Sequence, residues 1–192
     1  MKITSYKRLG VVAIAIAATM LMANLSTFAQ KGSVIQATAM GTSTQMGRVV
    51  SVDLRINEYS TIEDRNVLLQ VFQEKGSEGL ANALDKMKAK GRIAITGTLG
   101  FDVNFLRSID LPDGSRMIRF VTDRPITFGE AWSMSRSMDY TLSMGEIIIS
   151  KEKGKSTGKL YPVARFTLDK DKELTIETYQ NPWNLVNIQV RK

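Results

Sequence analysis

Any chemistry in this chain has to be done without histidine or cysteine, because its 192 residues contain neither. Ser-His-Asp and Cys-His nucleophilic sites are therefore excluded, as are zinc centres built on imidazole or thiolate ligands. Ser-Lys spacing occurs twice, in Ser150-Lys151-Glu152-Lys153 and Ser156-Thr157-Gly158-Lys159. Acyl enzymes that use S-x-x-K open a buried helix with it, so that the lysine can act as a base. Here both copies fall among lysines and glycines that read as a solvated turn. Gly154-Lys155-Ser156 ends a phosphate-binding loop that lacks its first glycine, since position 149 is Ile. Asp169, Asp171 and Glu173 have the spacing that begins a calcium loop. Its sixth position, however, is Leu174 instead of glycine, and its twelfth is Gln180 instead of glutamate. No metal and no cofactor is expected.

Carboxylates are the catalytic groups left. Two acids at a suitable separation suffice for glycoside hydrolysis, and Asp123, Glu130 and Asp139 flank the most distinctive part of the chain, residues 122–149. Each also has a plainer use: Asp123 in a turn before Arg124-Pro125, Glu130 as a cap, Asp139 on the polar face of a strand. From Trp132 the even positions read Trp132, Met134, Arg136, Met138, Tyr140, Leu142 and Met144, while the odd ones are mostly serine or threonine. Side chains alternate faces along a strand, so the run predicts one bulky apolar face and one hydroxyl-rich, solvated face. Trp132, Met134, Arg136, Met138 and Tyr140 are accordingly the candidate ligand-binding residues, with core packing as the plainer reading of the same face. Arg136 on that face needs an acidic partner or clamps a ligand.

Short strands must position these residues. Residues 30–45 are small, polar and aperiodic and are expected to form a flexible lead-in to a single β-rich domain, 46–192. Val50, Val52, Leu54 and Ile56 alternate with polar residues and mark a first strand. A helical pair is expected at about 61–90. Ser60 with Glu63, or Thr61 with Asp64, can cap the first helix, which runs to Gly76; Ser77 can cap a second carrying Leu80, Ala83, Leu84 and Met87. Further on, Leu99, Phe101, Val103 and Phe105 alternate, and Leu111-Pro112-Asp113-Gly114 turns into a partner strand. In that partner Met117 and Val121 point opposite to Ile118 and Phe120, so both of its faces should be covered. Residues 127–137 fit helix, loop or strand, and 138–149 is expected to be extended. Pro162 marks the next strand as an edge or a bulged one, and two more strands follow at 174–179 and 186–190. The fold class is therefore mainly β (α+β): an antiparallel β-sandwich or open barrel of seven to eight strands, with a two-helix insertion after the first strand.

The amino-terminal residues address location. Lys2, Lys7 and Arg8 precede an apolar run at 9–22, and Thr27-Phe28-Ala29 supplies small residues where a signal peptidase reads. Residues 1–29 read as a signal peptide. A retained anchor would need a longer apolar span than one interrupted by Asn24 and Ser26. Cleavage leaves no stable transmembrane segment, and a periplasmic or extracellular product is expected, without disulfides. The leader holds three of the 26 basic residues and no acid, so the formal charge falls from +7 to +4. That balance favours anionic surfaces weakly; nucleic acid is not an expected partner, because the basic residues are dispersed among acids.

Thr122-Asp123-Arg124-Pro125-Ile126-Thr127-Phe128-Gly129-Glu130-Ala131-Trp132, Ser137-Met138-Asp139-Tyr140, Gly158-Lys159-Leu160 and Asn181-Pro182-Trp183 resemble a family of exported bacterial proteins of unassigned function, over most of the mature chain. The resemblance implies no activity, cofactor or partner. The expectation from the residues is a non-enzymatic envelope protein that binds an apolar small molecule or an envelope component. A carboxylate-dependent hydrolase of envelope glycans and a structural or adhesive module without a pocket are the alternatives.

Overall fold

Where apolar and polar residues alternate, the chain forms strands, and their inward faces close on one another. The computed structural model describes residues 32–126, 139–168 and 174–191. In order it contains β1 (Ser33–Met40), β2 (Val49–Ile56), helix α1 (Ile62–Asp85), β3 (Gly91–Ile95), β4 (Phe101–Asp110), β5 (Arg116–Thr122), β6 (Leu142–Ile149), β7 (Thr157–Leu168), β8 (Leu174–Thr178) and β9 (Trp183–Arg191). Every pairing is antiparallel, in the order β6-β5-β4-β3-β2-β1-β9-β7-β8. Because β6 also pairs with β7, eight strands close into a barrel, and β8 is attached to the far half of β7, residues 164–168. The architecture is thus a closed barrel, neither a sandwich nor an open barrel.

Its interior is filled by apolar side chains, among them Ile35, Leu54, Phe120, Ile147, Leu160 and Trp183, all at most 2 % exposed. Much of the outer wall is polar: Gln36 donates to Asp53 at 3.0 Å, and Arg92 pairs with Asp102 at 2.6 Å. Apolar inside and charged outside is the reverse of a lipid-facing barrel wall.

Two expectations are corrected. Residues 33–40, expected in a flexible lead-in, are β1, paired on both edges with β2 and β9. Its inward set is Ser33, Ile35, Ala37 and Ala39, and alanines give little apolar signal although an inner wall needs small residues beside bulky ones. The expected helical insertion is present as α1, whose backbone leaves helical geometry at Gly76 (φ 64°, ψ −158°), the residue to which the first of the two expected helices runs; glycine adopts this left-handed φ without cost from a Cβ. The strand expected from 138 begins at Leu142, and its hydroxyl face is not solvated. Ser143 and Thr122 are fully buried, and Gly145 faces the interior ring of Phe120. Pro162 does sit in a bulge, where the β6–β7 register shifts between Met144–Tyr161 and Leu142–Ala164.

Helix α1 is fixed at three places across the outer wall. Thr61 and Asp64 form the capping box, and Ser60 Oγ accepts from Leu106 N–H (2.9 Å). Just past the break, Ser77 Oγ accepts from Phe166 N–H of β7 (3.2 Å), and beyond the helix Met87 carbonyl accepts from Asn104 Nδ2 (3.3 Å). Lys90, only 12 % exposed at its side chain, ion-pairs with Asp64 (3.2 Å) and Glu58 (3.3 Å) and so locks the helix start to the end of β2. Burial alone would push the Lys90 ammonium down, but hydrogen bonds and charge from Asp64 and Glu58 outweigh it and hold it above its ordinary value. Burial likewise works against the Asp64 carboxylate, and its bonds from Thr61 and Lys90 hold it below the ordinary value of 3.8.

A carboxylate depressed by folding contributes stability that is present above its ordinary pKa and is lost as pH falls through the folded value. A raised lysine contributes stability that is full below 10.5 and is lost as pH rises past its folded value. Lys90→Met should therefore flatten the acid arm of the stability profile below about pH 4. Urea midpoints at several pH values for the two proteins check this, and an unchanged acid arm would remove the lock from the account.

Candidate functional site: a groove between helix and barrel

Of the expected site residues, Asp123, Asp139 and Tyr140 fall among the described residues. Glu130, Trp132, Met134, Arg136 and Met138 lie outside the described residues. Tyr140 packs on Tyr179 with ring centroids 5.7 Å apart, and the Arg165 guanidinium lies 5.0 Å over the Tyr140 ring while pairing with Glu177 at 2.6 Å. Asp139 is exposed and lies within the field of Arg165. The Asp123 carboxylate, 4 % exposed, is taken up by its neighbour Arg124 at 2.6 Å. Neither Asp123 nor Asp139 lines the groove described next. Ser150 and Ser156 hold their own turn: Ser156 Oγ accepts from Ser150 N–H, and Ser150 Oγ from Glu152 N–H.

A concave feature lies elsewhere, between α1 and the outside of β4–β7, where it encloses about 470 Å³. That volume suits a small molecule. It follows from the second face of each strand. Phe105, Val121, Met144 and Tyr161 point away from the barrel interior and stand directly opposite one another, each to the next, across β4, β5, β6 and β7. Leu68, Phe72, Leu80 and Leu84 of the helix pack over them, with Phe72 edge-on to Phe166 at 6.3 Å. The β7–β8 hairpin extends the wall with Leu174 and Ile176, which are 51 % and 40 % exposed.

One step further along the strands the lining becomes charged. Arg107 stands opposite Arg119, Arg119 opposite Glu146, and Glu146 opposite Lys159. Arg119 Nε donates to Glu146 at 2.7 Å. Arg107 and Arg65, which also line the groove, form no ion pair or hydrogen bond through their side chains among the described residues. The groove thus has an apolar floor and roof and a cationic margin. Among the described residues no cluster of acidic side chains could hold a metal ion.

Sequence reasoning missed this site. The coverage of both faces of β5 was the available signal, since it required something outside the sheet over Val121.

An eight-stranded antiparallel barrel with one helix laid on its outer wall is the class of fold that frames the groove. The chain matches no family model, no curated protein and no solved structure.

Proposed function

We propose that this is an exported, non-enzymatic envelope protein that binds an apolar small molecule in the groove between α1 and the barrel. One observation carries the reading: a groove of about 470 Å³ whose floor and roof are Phe, Leu, Met, Val and Tyr side chains already positioned by the helix anchors. Export is supported by the basic and then apolar start of the chain and by its small-residue cleavage pattern. No helix among the described residues is long and apolar enough to cross a membrane.

Ile176 tests the groove with little risk to the fold, because it lies on the outermost strand and is 40 % exposed. A neutral environment-sensitive dye such as phenylnaphthylamine should bind saturably, with enhanced emission. Ile176→Asp should weaken that binding roughly tenfold or more, because an apolar ligand would have to desolvate the new carboxylate. Non-saturable dye uptake, or equal affinity in the variant, would count against the groove as a ligand site.

A further inference from the structure

We infer that the ligand is a single-chain amphiphile with an anionic head group, and that Arg65 and Arg107 receive the head. This rests on the groove being the ligand site. Like charges directly opposite on neighbouring strands destabilise a sheet, and Arg107 and Arg119 are such a pair. Glu146 neutralises only one of them, since its carboxylate is bonded to Arg119 Nε at 2.7 Å. Arg107, half-buried, and Arg65, exposed on α1, have no acidic partner among the described residues.

The charged row is also confined. On its helix side lies the row Phe105, Val121 and Met144, and on its other side Ile109, Met117 and Ile148. Same-face rows are about 7 Å apart along a strand, so a head group on the arginines places its chain directly on apolar surface. A guanidinium presents a planar fork that matches carboxylate, sulfate or phosphate oxygens, and it stays charged at any pH the protein meets.

Displacement of the bound dye by monomeric dodecanoate, dodecyl sulfate, dodecanol and dodecyltrimethylammonium tests the inference. The two anions should compete at least about tenfold better than the alcohol or the cation, and added salt should narrow the gap. In Arg65→Gln/Arg107→Gln the preference should vanish while dodecanol competes as before, which also shows that the fold and groove are intact. Arg107→Lys should keep a reduced preference. Equal competition by all four compounds, or a preference that persists in the double Gln variant, would overturn the head-group assignment and leave the apolar groove standing. Dye binding that no chain displaces would remove both. Capture on phosphatidylglycerol vesicles without displacement by any monomeric anion would overturn it in favour of a membrane surface.

Discussion

Phe120→Ala should lower stability by about 3–5 kcal/mol and Gly145→Ala by about 1–3 kcal/mol, with the double variant losing clearly less than the two together. Phe120 is completely buried in the barrel and stands directly opposite Gly145 on the neighbouring strand. A Cβ built on Gly145 would run into the Phe120 ring. The ring has no solvent exposure and belongs to the packed barrel core, so it cannot swing into solvent as a surface side chain would. Removing the ring leaves a cavity; adding the methyl group forces the strands apart; doing both lets the methyl occupy part of the vacated space. Denaturant midpoints at constant m-value for the four proteins give the coupling. Simple additivity would mean that the two residues do not share one packing site.

The same pair shows what was legible in the sequence. Alternation at Leu99, Phe101, Val103 and Phe105, followed by the turn Leu111-Pro112-Asp113-Gly114 and the run 116–123, predicts a hairpin, and the structure has it as β4 and β5, with Gly114 N–H bonded to Leu111 carbonyl at 2.8 Å. The Thr61–Asp64 cap was equally local and equally readable. Barrel closure was not, because it depends on β6–β7 and β7–β9 pairings between strands whose register no short window records. β1 was missed because Ala37 and Ala39, which an inner wall needs, look like linker residues in a hydropathy reading. The groove was hidden for a third reason. Arg107 and Arg119 each read as ordinary outward charges, and only the register that puts them opposite each other next to Glu146 makes them a cationic margin. Trp183, outside the closing strand expected at 186–190, opens β9 inside the barrel core for the same non-local reason.

Ser143→Val should cost about 2–5 kcal/mol, well beyond the effect of a typical surface substitution. Ser143 Oγ accepts from Ile126 N–H at 2.6 Å and donates to Pro162 carbonyl at 2.5 Å, in a place with no solvent exposure. Its own N–H donates to Thr122 Oγ1 at 3.1 Å, and that hydroxyl reaches the Arg124 carbonyl at 2.6 Å. Two hydroxyls therefore tie the segment after β5 to the bulge in β7. Valine removes the Ser143 hydroxyl, leaves Ile126 N–H only its 2.9 Å bond to Pro162 carbonyl, and adds volume at a fully buried position. Ser143→Ala removes the bonds without adding volume, so it should fall near the low end of the range. Amide exchange at 124–126 should accelerate in both variants, while that of β1 and β2, on the far side of the ring, follows global stability alone. Uniform acceleration across all strands would mean that the two hydroxyls support the barrel as a whole instead of pinning this segment.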